Sequence, residues 1–214
     1  MKLEQAIRNR RSIRKFSDDK VDEKIINAIL ESGIWAPSAC NHQEWKFIII
    51  DNKKLMNRII DLGGSVVISA APIGILVLYK NQTDNLEYND HIQSASACIQ
   101  NMLLKSHSLG LGSCWICQLP NKNDLRGLLH IPHHYDPIAY IALGYPSDEP
   151  KPHKRNDDVE QLVSYNNYNF KVGEKGFLKI NARRIFRRFY FKLPLFIKKA
   201  IRSKIEKKYV KKFE

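Results

Sequence analysis

The sequence has no run of about 18 uncharged apolar residues, roughly the length that a helix needs to cross a bilayer, so no transmembrane helix is expected. Residues 1–14 lack an apolar stretch of signal-peptide length, so secretion is not expected either. There are only four cysteines, which an intracellular setting would keep as thiols. Internal repeats and low-complexity segments are also missing. These absences predict a cytoplasmic globular protein.

Acidic residues are too few to balance the basic ones. The chain has 22 Asp and Glu against 35 Lys and Arg, and its net charge is +13. The imbalance is local, because residues 173–214 hold 15 of the basic residues and 3 of the acidic ones, whereas residues 1–172 hold 20 and 19. The sequence therefore predicts one nearly neutral domain, residues 1–172, followed by a basic extension, residues 173–214. The domain is long enough for a full hydrophobic core.

Helical and strand-like patterns alternate along the domain. Helices are predicted from the spacing of apolar residues at 3–10, 21–34, 55–62 and 91–109. Strands are predicted from β-branched, aromatic or continuous apolar runs at 45–50, 72–79, 113–116 and 138–143. Alternation of this kind is typical of layered α/β or α+β folds.

One short segment is unusually rich in hydrogen-bond donors. Arg10-Arg11-Ser12-Ile13-Arg14-Lys15-Phe16 places four cations and a hydroxyl within six residues. Arginine presents a rigid fork of N–H groups that binds phosphate oxygens in pairs, and a serine hydroxyl adds a further donor. The segment therefore favours a phosphate site, while a solvated basic turn is the alternative that the segment alone leaves open.

Three more segments along the chain bear on the function. They are Ala36-Pro37-Ser38-Ala39-Cys40-Asn41-His42-Gln43-Glu44-Trp45, Gly110-Leu111-Gly112-Ser113-Cys114-Trp115-Ile116, and Ala142-Leu143-Gly144-Tyr145-Pro146 with Lys154-Arg155 behind it. Together with the arginine segment they resemble the FMN-dependent nitroreductase family over residues 1–170. The resemblance implies an α+β fold, a three-layer sandwich whose central mixed β-sheet is flanked by helices. It also implies an intertwined homodimer with FMN bound by both subunits.

The same resemblance implies which residues bind FMN. The expected phosphate and ribityl contacts are Arg10, Arg11, Ser12 and Arg14, with Lys154 and Arg155 meeting the phosphate again. The loop expected to come from the partner subunit contains Pro37, Ser38, Ala39 and Asn41. The strand end expected beside the flavin ring contains Trp115, Ile116, Cys117 and Gln118. Relatives often have glycine where Cys117 stands, and some relatives use an Asn or Lys on the flavin in the region where this chain has Ser65.

The activity implied by the resemblance is that of an NAD(P)H-dependent flavin oxidoreductase. A hydride from NAD(P)H passes through the flavin to an organic acceptor such as a nitroaromatic or a quinone, and the two substrates take turns in a ping-pong scheme. Because the chemistry belongs to the flavin, no side chain is assigned as catalytic. The alternative hypothesis is a non-catalytic adaptor with this fold, whose basic extension binds a membrane surface or nucleic acid.

Several other patterns favour a structural role over a catalytic or metal-binding one. Cys114 and Cys117 have the spacing of a redox pair, but in a strand side chains three apart point to opposite faces, so packing is favoured. A histidine-rich stretch around Pro132 favours a surface loop over a metal site. His91 and His107 lie on the fourth predicted helix. They are predicted to be buried or capped histidines rather than catalytic ones. The small residues of that helix favour close packing at a dimer interface.

The basic extension lies outside the family pattern. Ile185, Phe186, Phe189 and Tyr190 recur at helical spacing, with arginine pairs between them. A basic amphipathic helix of this kind is typical of peripheral binding to an anionic membrane, here the inner face. Packing of the extension on its own dimer is the alternative, and nucleic-acid binding is the least favoured.

Overall fold

The fold was obtained as a computed structural model. It describes residues 1–83, 85–150, 155 and 158–170, and in the extension residues 181–182, 185–186, 189–190, 193–194, 197 and 201. Lys154 and most of the basic extension lie outside the described residues, so the expectations for them stay predictions.

Six α-helices and four β-strands make up the described part of the domain. The helices are α1 Leu3–Asn9, α2 Glu23–Ile34, α3 Lys53–Asp61, α4 Val67–Ala70, α5 Asp90–Ser108 and α6 Lys122–Leu129. The strands are β1 Trp45–Ile50, β2 Ile73–Lys80, β3 Gly112–Ile116 and β4 Tyr135–Gly144. The four predicted helices correspond to α1, α2, α3 and α5, and all four predicted strands are present.

Helices α4 and α6 were not predicted. The eight residues of α6 follow Asn121, whose side chain accepts hydrogen bonds from the backbone N–H groups of Asn123 and Asp124. This cap, with Leu125, Leu128 and Leu129 at helical spacing, is the signal that could have identified the helix. The four-residue α4 is too short to show a helical period.

The sheet has the strand order β1-β2-β4-β3, and each neighbouring pair of strands is antiparallel. The expectation of a mixed sheet is therefore not met by these strands; within the described residues the parallel pairing is an isolated bridge between Ser12 and Ser113. The pattern of alternating helices and strands could not reveal this, because it does not say which ends of the strands a helix connects.

Pro137, which lacks an N–H, sits at a bulge where the register of β2 and β4 shifts.

Helices cover both faces of the sheet. Ile75, Val77 and Tyr79 of β2 belong to the apolar cluster shared with α2 and α5, whereas Leu76 and Leu78 belong to the cluster shared with α3 and α6. Alternate residues of one strand thus enter two cores, which explains why β2 reads as an unbroken apolar run. The expected α+β three-layer sandwich is confirmed.

Nowhere in the described parts of the chain is there a helix with both the length and the apolarity required to cross a membrane.

Gly74 provides a test of this packing. A Cβ added at Gly74 would overlap the hydroxyl of the fully buried Tyr140, a rigid ring that cannot move aside. Gly74→Ala is expected to lower the free energy of unfolding by about 1–3 kcal/mol, as other overpacked cores do. The measurement is equilibrium unfolding in urea.

Gly127→Ala in α6 is the matched control for that experiment. A Cβ there meets nothing within 4 Å, so the better helix propensity of alanine should raise the free energy of unfolding by about 0.5–1 kcal/mol. Equal urea midpoints for Gly74→Ala and the wild type would contradict the close contact with Tyr140.

Candidate functional site

The arginine segment is held along the exposed edge of β3. The N–H of Ile13 donates to the carbonyl of Ser113 over 3.0 Å, and Ser12 forms the parallel bridge with Ser113. A Cβ on Gly112 would come within 2.8 Å of the Ile13 side chain, so glycine is what allows the two chains to approach this closely. The contact fixes the path of residues 10–14 relative to the sheet.

The same segment then continues to the turn after β4. Ser17 N–H donates to the carbonyl of Tyr145 over 2.9 Å, Ser147 N–H donates to that of Lys15 over 3.3 Å, and Phe16 pairs with Pro146. The arginine segment, β3 and the end of β4 are therefore in direct contact. Three of the four sequence segments that suggested a site meet in space.

Positive side chains converge at this junction. Arg10 is half-buried, and its pKa is lowered first by desolvation and then by the nearby charges of Arg155 and Arg11. Arg10 and Arg14 are both close enough to influence the buried thiol of Cys114. Like charges brought together under partial burial repel one another, so an anion bound among them would be stabilised by all of them.

Side chains of β3 alternate between the two cores. Cys114 and Ile116 belong to the cluster with α3 and α6, while Trp115 packs on the cluster with α2 and α5. Burial raises the pKa of Cys114, whereas Cys117 lies beyond the strand and is exposed. Both are free thiols, and their surroundings differ.

The end of β3 presents exposed polar groups. Cys117 and Gln118 are exposed, and the carbonyl of Gln118 accepts a hydrogen bond from the N–H of Ser65 over 3.0 Å. The Ser113 hydroxyl and the Trp115 indole N–H are buried and have no hydrogen-bond partner among the described residues. Strand β3, which ends in the predicted flavin-ring contacts, is also the strand along which the arginine segment runs.

The remaining segment, residues 36–45, contains a strained loop. Cys40, Asn41 and Gln43 have φ angles of 48°, 58° and 53°, in the left-handed region that L-residues rarely adopt. Hydrogen bonds hold this shape: Gln43 N–H donates to Ser38 Oγ over 3.1 Å, and Gln43 Nε2 donates to Asn41 Oδ1 over 2.9 Å. Clustered backbone strain of this kind is typical of functional sites.

The strained loop and the arginines lie at opposite ends of α5. Ala39 N–H donates to Ser94 Oγ near the start of the helix over 3.0 Å. His107, in the last turn, is close enough to Arg10 and Arg11 for their charges to lower its pKa. The rise of an α-helix puts Ser94 and His107 about 20 Å apart. One chain therefore does not bring Pro37, Ser38, Ala39 and Asn41 to the arginines.

Large apolar side chains remain exposed close to these two ends. Trp35, just after α2 and just before the strained loop, is 79% exposed, and Leu3 and Ile7 project from α1, which packs against α5. These exposed apolar side chains are candidates for a contact with another protein chain.

The sequence did not predict two features of this region. His107 lies beside the arginines, and the spacing of α5 gave no sign of it. A small cleft behind the strained loop contains an ion pair of Glu44 and Lys80 (2.9 Å), and the hydrogen bond from Lys80 lowers the pKa of Glu44. Neither pairing could be read from the sequence, because Glu44 and Lys80 are 36 positions apart and Arg10 and His107 are 97 positions apart.

No group of three or more metal-binding side chains is close enough to hold an ion in the described part of the chain. His130 is the exposed, left-handed C-cap of α6, which places the histidine-rich stretch in a surface turn.

Comparison with known proteins agrees with this architecture. The model of the nitroreductase family matches residues 7–70 and 61–145, which together are more than half of the chain. A Methanothermobacter thermautotrophicus protein with the provisional name NADH dehydrogenase/NAD(P)H nitroreductase is 34% identical over 154 residues, covering 70% of this chain and 80% of that protein. The chain therefore belongs to the nitroreductase family.

More distant relatives carry more specific names. The FMN reductase [NAD(P)H] of Bacillus subtilis is 26% identical over 183 residues, covering 76% of this chain and 74% of that protein. A solved structure of an FMN-dependent nitroreductase from Clostridium difficile is 28% identical, covers 76% of this chain and 98% of its own, and superposes with a TM-score of 0.67. These matches confirm the expectation of a flavin oxidoreductase that uses FMN and NAD(P)H, and they do not favour a non-catalytic adaptor.

The strain in the loop can be measured at Cys40, which is exposed, so that burial does not confuse the result. Glycine adopts a positive φ without steric cost, whereas a β-branched residue does so poorly. Cys40→Gly is expected to be more stable than Cys40→Val by about 1–2 kcal/mol in urea unfolding.

Gln82 is the matched control, because it is exposed, lies in a loop and is not among the residues with positive φ. Gln82→Gly should be no more stable than Gln82→Val. The same order of stability at both positions would show that Cys40 is not strained.

Proposed function

We propose that this protein binds FMN between two copies of the chain and uses it to transfer hydride from NAD(P)H to a small organic acceptor. The observation that carries the proposal is the convergence of Arg10, Arg11 and Arg155 at one corner of the sheet. Family membership supplies the class of reaction, and this corner supplies a place for the anionic end of the cofactor.

The residues at the corner suit a phosphate dianion. Arg10 offers a planar fork of N–H donors, Ser12 is exposed and carries a hydroxyl, and Arg155 lies close enough to Arg10 to share the charge. Arg11 adds its charge and its remaining N–H groups, because its Nη1 already donates to the carbonyls of Arg8 and Arg10. Without an anion these groups repel one another. A phosphate bound among them would attract each of them and offset that repulsion. Arg14 is assigned to the ribityl chain or the pyrimidine edge, and Lys154 is assigned to the phosphate from its place in the sequence.

The loop of residues 37–41 is assigned to the site of the partner subunit. It lies about 20 Å along α5 from the arginines of its own chain, so a second copy is needed to bring Pro37, Ser38, Ala39 and Asn41 to the cofactor. The exposed Trp35 and the exposed face of α1 are the apolar surfaces that such a dimer would bury.

FMN supplies a ring that accepts and donates hydride, and the chain positions that ring and adjusts its electrostatics. Trp115, Ile116, Cys117 and Gln118 are assigned to the edge of the ring, where the backbone at the end of β3 provides N–H donors. A cation such as Arg14 would stabilise the negative charge that the ring gains on reduction. Cys117 adds a thiol side chain where many relatives have none, and this narrows the space over the ring.

A single pocket over the ring would serve NAD(P)H and the acceptor in turn. We therefore propose ping-pong kinetics, with a nitroaromatic, a quinone or a similar activated compound as acceptor. Initial rates at several fixed acceptor concentrations should give parallel double-reciprocal lines.

Removing two arginines tests the assignment of the arginine segment to FMN. The double variant Arg10→Ala/Arg14→Ala is expected to bind FMN at least about 100-fold more weakly, because hydrogen bonds to charged groups contribute about 1.5–3 kcal/mol each. The dissociation constant is measured by the quenching of flavin fluorescence. Arg8→Ala, which removes an exposed cation already paired with Glu4, is the matched control.

Mixed dimers extend this test to the shared site. A second variant, Ser38→Ala/Asn41→Ala, is expected to lose FMN as well. Co-expression of the two variants should give mixed dimers with one intact site, which recover FMN at about one site per dimer. Wild-type FMN affinity in the arginine variant, or no recovery in the mixed dimers, would refute the shared phosphate site.

A second proposal concerns the basic extension. Ile185, Phe186 and Phe189 lie in helical segments and are 58%, 52% and 66% exposed. In the sequence the pairs Arg183-Arg184 and Arg187-Arg188 alternate with them. We propose that this extension binds the surface of an anionic membrane, with the apolar residues at the headgroup level and the cations contributing roughly 1 kcal/mol each.

The full-length double variant Phe186→Ser/Phe189→Ser tests this second proposal. It should sediment with vesicles that contain phosphatidylglycerol about tenfold less than the wild type does. Binding of the wild type should also fall at high salt and on purely zwitterionic vesicles. Leu86→Ser/Tyr88→Ser removes equally exposed side chains outside the extension and is the control. A wild-type protein that does not sediment with anionic vesicles would favour packing of the extension on its own dimer.

A further inference from the structure

His107 occupies an unusual position at the end of α5. Its Nε2 atom is buried and has no hydrogen-bond partner among the described residues. A buried polar atom without a partner costs free energy, so such an atom in a native protein calls for an explanation. No side-chain cap or ion pair among the described residues accounts for it.

The surroundings of His107 are built by three elements that meet at one corner. After α5 the chain turns into β3, and this turn is closed by a hydrogen bond from Leu111 N–H to the carbonyl of Ser106 (2.9 Å). Ser12 pairs with Ser113 in parallel, so Arg11 and Arg10, which precede Ser12, run back toward this turn. Helix α1, which ends just before Arg10, also packs on α5.

Among the described residues, the charges that act on the His107 imidazole are positive. Arg10 and Arg11 approach it from the segment after α1, Lys105 lies in the same last turn of α5, and Arg155 lies beside Arg10. Desolvation and the charges of Arg10 and Arg11 lower the pKa of His107. In the absence of an anion these effects therefore favour the neutral imidazole.

We propose that His107 is a further ligand of the FMN phosphate, which donates a hydrogen bond from its imidazole and takes up a proton when the phosphate binds. This inference rests on the proposed function, because it needs the phosphate to lie between Arg10 and Arg11. A dianion at that position reverses the sign of the local charge and favours the imidazolium. The buried nitrogen then has its partner.

The inference predicts a specific pH dependence. Because binding raises the pKa of His107, its contribution to FMN affinity grows as the pH falls from 8 to 6. The second ionisation of the phosphate, with a pKa of about 6, acts in the opposite direction. The difference between the wild type and a His107 variant cancels the behaviour of the phosphate and isolates that of the imidazole.

The experiment compares the dissociation constants of FMN and riboflavin by fluorescence quenching at pH 6 and pH 8. His107→Gln is expected to weaken FMN binding about tenfold at pH 6, which corresponds to one charge-assisted hydrogen bond, and about twofold at pH 8. Riboflavin lacks the phosphate, so its binding should not change. His107→Lys, whose charge does not titrate in this range, should keep FMN tightly bound at both pH values.

The matched control is His133→Gln, which removes an exposed histidine away from the corner. Thermal unfolding of each variant verifies that the fold is intact. Equal FMN affinity of His107→Gln and the wild type at both pH values would overturn the inference, and so would an equal loss of riboflavin, which would indicate a structural role. A wild-type protein that binds neither flavin would instead overturn the proposed function itself.

Discussion

The hydrogen bond between the Ile13 amide and the Ser113 carbonyl is the contact on which the candidate site depends. It fixes the arginine segment along an edge of the sheet, and the missing side chain of Gly112 lets the two segments approach closely. The consequence is electrostatic, because Arg10, Arg11 and Arg155 are held near one another in a partly buried corner. Folding alone would not favour such repulsion, whereas a bound dianion relieves it.

A second constraint is the length of α5, which separates the two halves of the candidate site. The helix fixes the strained loop near Ser94 and the cationic corner near His107. Each half has an uncompensated feature, namely left-handed backbone at one end and crowded positive charge at the other. Two copies of the chain can combine complementary halves, which gives a physical reason for the proposed dimer and for the exposed apolar residues near both ends of the helix.

Much of the fold could be predicted because its signals are local. Strand β2 was recognised from its unbroken apolar run, and α5 from nineteen residues of helical pattern that end before Gly110. Helix α6 escaped because eight residues hold little periodicity, and its best signal was the cap at Asn121. The antiparallel pairing of all four strands could not be predicted, since strand direction depends on how the connections cross the sheet.

For the site, the sequence by itself determined the chemistry available: an arginine-rich segment, a loop able to adopt positive φ angles, and the motifs shared with the nitroreductase family. Only the tertiary structure decided which of these groups meet. It joined the arginines to Arg155, separated them from the strained loop, and added His107, which no motif had marked. The physical reason is that charge interactions depend on distance in space, and residues 10, 107 and 155 become neighbours only after the sheet has formed.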